Sequence, residues 1–512
     1  MPARPPPRSL LVVAILASTM AFLDGTVVNV ALPVMQRQLG ATVVEMQWVV
    51  EAYALFLAAL VLVGGALGDR YGRKRVFLGG VVLFASASMA CGLAPGPTPL
   101  VIARGVQGVG AALLVPGSLA LLTAGYPDED ERGAAIGKWS AASAITGAVG
   151  PVFGGWLVMR ASWRWVFFLN LPLAVLVVVL SIKGVAETRD DEDRGKLDVL
   201  GALVAVLGLG AIVYALLESP DAGGLSNPRV LAPLVLGSIA LAAFPLIEAH
   251  VANPMVPLSL FRSRAFSITN LLTLLLYAAL GGTFFFLPFD LVQIQHDSPA
   301  VAGAALLPLV VFIAGLSPWA GRLVARRGAR LPLMAGPLIA SGGFSLLAMP
   351  AIGGSYWTTF FPGIVALGLG MGLTIAPLTM VVMGAVEPRH AGTASGLNNA
   401  VSRAAGLLSV AALGVVFVAR FDGALDRALA PMGLGPEVRA IVAQQRSRLG
   451  GANLDGVDAA IRGALRRAFD EAFVSAFRTT TLICAVMAAL AGLSALAIAK
   501  DAHRPPVRPP SA

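Results

Sequence analysis

An eleven-residue stretch between two apolar runs reads Gly65-Ala66-Leu67-Gly68-Asp69-Arg70-Tyr71-Gly72-Arg73-Lys74-Arg75. Its glycines permit a tight turn between two helices, and its basic residues are typical of the cytoplasmic end of a membrane span. The acid can pair locally or cap a helix N-terminus. A second copy, which lacks the acid, returns 256 residues later as Gly321, Leu323, Arg326, Gly328 and Arg330. The chain therefore contains an internal repeat, and each copy of the loop follows an apolar run.

The composition of the 512-residue chain indicates a membrane protein. Hydrophobic residues make up 57% and charged residues only 13%, and so few charges cannot keep the surface of a globular protein in water. The long apolar runs also exclude a disordered chain. Fourteen runs are bounded by charges, Pro or Gly, and about 20 apolar residues are enough to cross a bilayer. Their approximate limits are 9–33, 48–67, 76–94, 100–122, 134–157, 164–182, 198–217, 229–248, 266–289, 300–321, 331–349, 357–382, 399–419 and 476–499.

The runs predict membrane-spanning helices, because none shows the strict alternation of a transmembrane barrel. Two glycines of the fourth run, at 108 and 110, are echoed in the twelfth run at 368 and 370. Equivalent helices therefore lie eight runs apart. We predict an all-α membrane protein with two six-helix bundles and two inserted helices. The predicted regions are a first bundle at 1–182, a linker with the inserted pair at 183–265, a second bundle at 266–499 that includes an extracellular loop at 420–475, and a cytoplasmic tail at 500–512.

The distribution of Lys and Arg predicts the orientation of the chain. With the N-terminus in the cytoplasm, 22 of these residues fall in cytoplasmic segments and four in short outer loops. We therefore expect both termini in the cytoplasm and the protein in the inner (plasma) membrane of the cell. The net charge of +9 then reflects topology and contact with anionic lipids, because the basic residues lie at helix ends and form no nucleic-acid-binding domain. No metal site is expected, since Cys91 and Cys484 lie in distant runs.

Three further motifs accompany the loop, in the first, fourth and fifth runs. They are Leu23-Asp24-Gly25-Thr26-Val27-Val28-Asn29-Val30-Ala31-Leu32-Pro33, Arg104-x-x-Gln107-Gly108-x-Gly110, and Gly147-x-x-Gly150-Pro151-x-x-Gly154-Gly155. Together with the loop, they resemble the major facilitator superfamily across essentially the whole chain. With fourteen spans, the chain is similar to the drug:proton antiporter branch of that family, the multidrug efflux type. The resemblance implies the major facilitator fold.

The resemblance also assigns roles to individual residues. The family's loop acts as a charge-based latch of the inner gate, and the matching residues here are Gly65, Asp69, Arg70, Gly72, Arg73 and Lys74. For the second copy of the loop, which lacks the acid, the alternative that it is only a turn that sets topology stays open beside the latch. The motif of the fifth run resembles the antiporter motif of exporters, with Gly147, Gly150, Pro151, Gly154 and Gly155. Its glycines allow close helix approach, and its proline bends the helix.

Ionisable side chains inside membrane spans are costly and mark candidate functional sites. Asp24, Glu51 and Arg104 all fall in the outer half of the predicted first bundle. Burial disfavours a charged carboxylate and a neighbouring arginine favours it, so making and breaking an Asp24–Arg104 pair is a physical route to proton coupling. Arg104 resembles the family's buried proton-relay arginine. Asp24 could instead be a structural acid that holds helices together, and Glu51, about one turn into its span, could lie in a wet outer vestibule.

These patterns predict a proton-coupled antiporter that exports small lipophilic or amphipathic compounds by alternating access. It needs no cofactor, because the proton gradient supplies the energy and the chain has no phosphate-binding loop. The expected partners are the substrate, protons and membrane lipids, with no nucleic acid; a monomer is expected, and a periplasmic partner stays open. Alternatives are a dedicated exporter of one metabolite, lipid or siderophore, and a non-transporting membrane sensor. An enzyme is not expected, because four His and two Cys are scattered along the chain.

Overall fold

The computed structural model describes residues 8–126, 128–189, 198–251, 254–387 and 391–498, and these ranges contain helices and no strands. The predicted tail at 500–512 and the charged part of the predicted linker at 190–197 lie outside them. In chain order the α-helices are α1 Arg8–Leu39, α2 Val43–Tyr71, α3 Arg73–Leu93, α4 Pro97–Gly125, α5 Glu129–Arg160, α6 Trp165–Phe168, α7 Asn170–Gly184, α8 Val199–Glu218, α9 Pro228–His250, α10 Arg264–Phe289, α11 Pro299–Ala304, α12 Leu307–Arg327, α13 Arg330–Leu347, α14 Tyr356–Thr359, α15 Phe361–Gly384, α16 Ala391–Leu429, α17 Pro436–Gln445 and α18 Ala459–Ser494. A π-helix at Asp290–Ile294 follows α10.

The predicted apolar runs are helical, with those at 164–182, 300–321 and 357–382 each divided between two helices, but the count of fourteen spans is not confirmed. Within the described ranges, thirteen helices are long and apolar enough to cross a membrane. The remaining candidate is α13, which has 18 residues and contains Arg330 and Pro337. At 1.5 Å per residue it extends about 27 Å, slightly less than the hydrocarbon thickness of a typical bilayer. Its short length and its charged end explain why α13 is not among the helices that are apolar and long enough to cross a membrane.

The chain forms two compact units, each assembled from separate segments. The first comprises 1–255, 287–304 and 425–470, and the second comprises 256–286, 305–424 and 471–512. In the first unit α4 packs against α2 and α3, α1 packs against α5, and α8 packs against α2 and α9. In the second unit α15 packs against α12 and α13. The predicted boundaries at 182 and 265 stay a prediction.

The repeated glycines have the same packing role in both units. A Cβ on Gly108 would meet α2 at the Tyr53 carbonyl, and a Cβ on Gly110 would meet the backbone of α3. In the second unit, Gly368 faces α12 in the same way and Gly370 faces α13. Glycine at these positions lets two helices approach the central helix on opposite faces. The sequence repeat therefore corresponds to a repeated three-helix arrangement.

The segment predicted as an extracellular loop at 420–475 is almost entirely helical. It contains the end of α16, all of α17, a 3-10 helix at Arg446–Gly451 and the start of α18. The last of these helices, α18, begins at Ala459 and continues into the last predicted span. Its apolar residues Leu465 and Phe469 are 0% exposed. The protein itself therefore covers these apolar residues of the helix.

Candidate functional site

The candidate site lies in the first unit, where α1 meets α4. The fourth helix begins at Pro97, so Arg104 and Gln107 lie two to three turns from its start and one turn apart on the same face. Asp24 lies near the middle of α1. Because α4 packs against α1, both side chains come within reach of this acid.

Side chains of α4 hold both oxygens of the Asp24 carboxylate. The Nη1 group of Arg104 donates to Oδ2 of Asp24 at 2.5 Å. Nε2 of Gln107 donates to Oδ1 at 2.8 Å, and Oε1 of Gln107 accepts from Arg104 Nη1 at 2.7 Å. The three side chains form a closed ring of hydrogen bonds, and Asp24 and Arg104 are each 1% exposed. The structure thus brings the two predicted residues together in a buried ion pair, and their role in coupling stays a prediction.

The Arg104 guanidinium has two further partners on α2. Nε donates to the Val49 carbonyl at 2.9 Å. The guanidinium carbon lies 4.3 Å from the centre of the Tyr53 ring, within the range of a cation–π interaction. Tyr53 OH donates in turn to the Ala21 carbonyl of α1 at 3.4 Å. Arg104 would therefore keep these partners if Asp24 became neutral, whereas Arg104 is the one cationic partner of Asp24 in the described part of the chain.

A second set of polar side chains approaches Asp24 from α3 and α7. Asn170 Nδ2 lies 3.4 Å from Oδ1 of Asp24 and donates to Ser88 Oγ at 3.0 Å. Ser88 donates to the Phe167 carbonyl at 2.8 Å. No role was predicted for these residues or for Gln107. The spacing of Gln107 three residues after Arg104 on an apolar helix was a usable signal, while Ser88 and Asn170 come from distant helices.

Glu51 lies deeper in the protein than expected. Since α2 begins at Val43, Glu51 is about two turns into the helix rather than one, and it is 1% exposed. A side chain this buried does not line a water-filled vestibule, so that alternative for Glu51 is wrong. In the described part of the chain, no hydrogen bond or ion pair joins Glu51 to Asp24 or Arg104. Glu51 is therefore a separate buried acid and does not belong to the Asp24 ring.

The motif at 65–75 joins α2 to α3, and Gly72 is its one residue between the two helices. Gly72 has φ +108, a backbone conformation that strongly favours glycine. Asp69 accepts from Arg73 Nε at 2.7 Å, so it makes the local pair that the sequence allowed. Lys74 Nζ donates to the Val185 carbonyl at 2.7 Å. The gate role of Gly65, Arg70 and the other loop residues stays a prediction.

An acid for which no role was predicted, Glu187, caps α3. Oε1 of Glu187 accepts from Lys74 N at 3.0 Å, and Oε2 accepts from Arg75 N at 3.1 Å. These N–H groups have no partner within the helix, and the positive end of the helix dipole favours the carboxylate. Glu187 thereby ties the segment after α7 to the start of α3.

The motif of the fifth helix is a contact surface for two neighbours. A Cβ on Gly150 or Gly154 would overlap Thr26 or Val27 of α1, and one on Gly155 would overlap the Pro299 carbonyl. Conversely, a Cβ on Gly303 of α11 would overlap the carbonyl of Pro151. Gly147 differs, because nothing lies within 4 Å of its Cβ position. Four of the five motif residues thus take part in close helix approach.

These features together define a class of protein. Long apolar helices, repeated halves and a buried ion pair inside the helical unit are typical of membrane transporters. In the described ranges, no three His, Cys, Asp or Glu side chains are grouped to hold a metal ion.

The comparisons with known proteins agree with this class. Residues 14–410 match the Major Facilitator Superfamily, and the chain belongs to this family of transporters and is not an enzyme. It is 36% identical over 407 residues to "Multidrug resistance protein Stp" of Mycobacterium tuberculosis (strain CDC 1551 / Oshkosh), covering 80% of this chain and 75% of that protein. It is 38% identical over 429 residues to "Puromycin resistance protein pur8" of Streptomyces alboniger, covering 83% and 84%.

A solved structure has the same fold. The chain is similar to a bacterial homologue of the human lysosomal transporter Spinster in an inward-facing and occupied conformation, with a TM-score of 0.68 and 17% identity. The likeness covers 97% of this chain and 98% of that one. The predicted major facilitator fold is therefore confirmed.

Proposed function

We propose that this protein is a proton-coupled antiporter of the plasma membrane that exports small lipophilic or amphipathic compounds by alternating access. The observation that carries the proposal is the buried pair of Asp24 and Arg104. Removing two charges from water costs several kcal/mol per ion, and apolar residues of similar volume are often at least as stable in their place. Selection for stability alone gives little reason to keep such a pair inside a membrane helix bundle.

The surroundings of Asp24 suit a change of charge. Gln107 can remain hydrogen-bonded to a protonated carboxyl group, and Arg104 retains the Val49 carbonyl and the Tyr53 ring. Proton binding would therefore release the ion pair while leaving the other helix contacts in place. In the proposed cycle, the deprotonated protein binds substrate from the cytoplasmic side, and protonation of Asp24 after outward opening favours substrate release.

The proposal places coupling in the first half of the repeat. The repeat aligns Leu280 with Asp24 and Ile364 with Arg104, and neither can bind a proton. Glu51 is a second candidate carboxylate of the same unit and acts independently of the ring in this proposal. The names of the multidrug and puromycin resistance relatives support export as the direction of transport.

Inverted membrane vesicles that carry an imposed pH gradient test the proposal. The panel contains lipophilic cations, neutral lipophiles and amphipathic acids, with puromycin as one member. We expect some compounds to dissipate the gradient in wild-type vesicles, and we expect Asp24→Asn to lose at least 90% of that effect. Asp221→Asn, an exposed acid between α8 and α9, is the matched control and should respond like wild type.

The possible outcomes separate the interpretations. Unchanged substrate-dependent proton movement in Asp24→Asn would contradict coupling at this residue. Substrate accumulation without proton movement in wild type would leave an exporter but exclude proton antiport. No response to any compound of the panel, in vesicles with verified protein content, would contradict multidrug export and leave the dedicated exporter or a non-transporting sensor.

A dedicated exporter is the second candidate. One observation favours it. The pur8 relative is named for resistance to a single antibiotic, and the match extends over 84% of that protein. The same panel separates the two functions. A response to one compound class supports the dedicated exporter, whereas responses across several unrelated classes support multidrug export.

A further inference from the structure

A basic cavity lies in the first unit, away from the Asp24 ring. Its volume is about 670 Å³, within the range of sites that take drug-sized molecules. The end of α1 and residues 448–466 form its wall, including four arginines and a single acid: Arg37, Arg448, Arg462, Arg466 and Asp455. Neither the family match nor the proposed coupling mechanism uses this cavity.

Two of the arginines are fixed by the protein. Arg462 donates to the Val457 carbonyl at 2.7 Å and to the Asp455 carbonyl at 3.0 Å. Arg466 donates to the Gly450 carbonyl at 2.5 Å and pairs with Asp470 at 2.8 Å. Because carbonyl groups are neutral, these hydrogen bonds do not cancel the positive charge of Arg462. These contacts hold the irregular backbone of the cavity wall in shape.

The other two arginines have no such partner. Within the described ranges, the guanidinium groups of Arg37 and Arg448 make no ion pair or side-chain hydrogen bond. Arg37 lies in the last turn of α1, which places the cavity where a membrane span ends. Leu454 and Ala459 give the same cavity an apolar wall. The cavity thus offers free, planar hydrogen-bond donors beside an apolar surface.

We propose that this cavity binds an anionic amphiphile through a phosphate or carboxylate group held by Arg37 and Arg448. Arginine matches such groups because two parallel N–H donors meet two oxygens. The anion can belong to a lipid headgroup at the membrane surface or to a free small molecule. Binding at this cavity does not depend on the proposed transport function.

Binding is measured on the full-length protein in detergent. The lipid arm compares retention of phosphatidylglycerol and phosphatidylcholine by native mass spectrometry. The free-anion arm measures the apparent Tm in inorganic phosphate and in chloride at equal ionic strength. The variant is Arg37→Gln/Arg448→Gln, and Arg467→Gln, an exposed neighbour outside the cavity, is the matched control.

We expect wild type and Arg467→Gln to prefer phosphatidylglycerol, and the double variant to lose that preference by at least fivefold. Stabilisation by phosphate alone, lost in the double variant, would assign the site to a free anion. Equal behaviour of wild type and the double variant in both arms overturns the proposal. Asp455→Asn tests the site without weakening it, because it removes the only acid among the lining residues. We expect this variant to bind anions more tightly than wild type. Unchanged anion binding would also contradict the proposal.

Discussion

At the scale of single residues, Asp24 and Arg104 depend on each other unequally. Replacing Arg104 by Gln leaves Asp24 with neutral donors only, and a buried charge that loses its partner costs about 3–5 kcal/mol. Replacing Asp24 by Asn costs less, because Arg104 keeps the Val49 carbonyl, the Gln107 oxygen and the Tyr53 ring. We expect the apparent Tm in one detergent to fall most in Arg104→Gln.

The double variant Asp24→Asn/Arg104→Gln completes this test. It contains no unpaired buried charge at the ring, so it should melt at a higher temperature than Arg104→Gln alone. If the double variant lost as much Tm as the two single variants together, the two side chains would contribute to stability independently. The 2.5 Å contact between them predicts the opposite.

The candidate site was only partly predictable from its residues. Charged side chains stand out in apolar helices, so Asp24 and Arg104 were found without a structure. Gln107 and Asn170 are neutral, and neutral polar residues in spans often only bond to their own helix backbone, as Thr26 does here. The position of Glu51 relative to the ring depends on how α2 is rotated about its axis, and apolar residues all round that helix give no indication of the rotation.

At the scale of elements, the glycine motif of α5 makes a prediction about helix spacing. Gly155→Ala would place a Cβ against the backbone of Pro299, which cannot rotate away as a side chain could. The two helices must then separate, at a cost of about 1–3 kcal/mol. We expect a lower apparent Tm and slower export of a responsive compound.

Gly147→Ala is the matched control in the same motif and helix. Its Cβ would meet nothing within 4 Å, and alanine favours a helix over glycine by roughly 0.5–1 kcal/mol. This variant should melt at or above the temperature of wild type. Equal losses in both variants would show that helix propensity, and not the approach of α5 to its neighbours, governs the motif.

The cap on α3 is a second prediction at this scale. Glu187→Ala removes the acceptor of two backbone N–H groups at the start of the helix, and loss of such a cap costs about 0.5–2 kcal/mol. Glu129→Ala removes an acid that is 90% exposed at a helix start and should change the apparent Tm much less. Glu187→Gln keeps an acceptor oxygen and should lie between them. Similar Tm values for Glu187→Ala and Glu129→Ala would contradict the cap.

At the scale of the whole molecule, apolar length and the repeat predicted most of the architecture. The apolar runs are helical, because inside a bilayer the backbone must satisfy its own hydrogen bonds. The segment at 420–475, predicted as an extracellular loop, consists mostly of helices, and its side of the membrane stays a prediction. Arg466 contributes to this structure, because it pairs with Asp470 one turn along the same helix and donates to carbonyl groups of the preceding segment. Charges of this kind stabilise helical structure, and the sequence does not distinguish them from charges that only face water.

The last prediction concerns α13 and the number of spans. If α13 crosses the membrane, Arg327 before it and Ser355 after it lie on opposite sides, with Ser355 outside. If it does not cross, both lie on one side, and the fourteen-span topology fails.

Arg327→Cys and Ser355→Cys are each made in a Cys91→Ala/Cys484→Ala background, because both native thiols are buried and their loss leaves no competing label. A membrane-impermeant maleimide should label Ser355→Cys in intact cells and Arg327→Cys only after permeabilisation. Asn453→Cys, exposed in the segment before α18, should be labelled from outside as well, since one further pair of spans separates it from Ser355. Labelling of Ser355→Cys and Arg327→Cys from the same side would mean that the 18 residues of α13 are too short and too polar to span the bilayer in this protein.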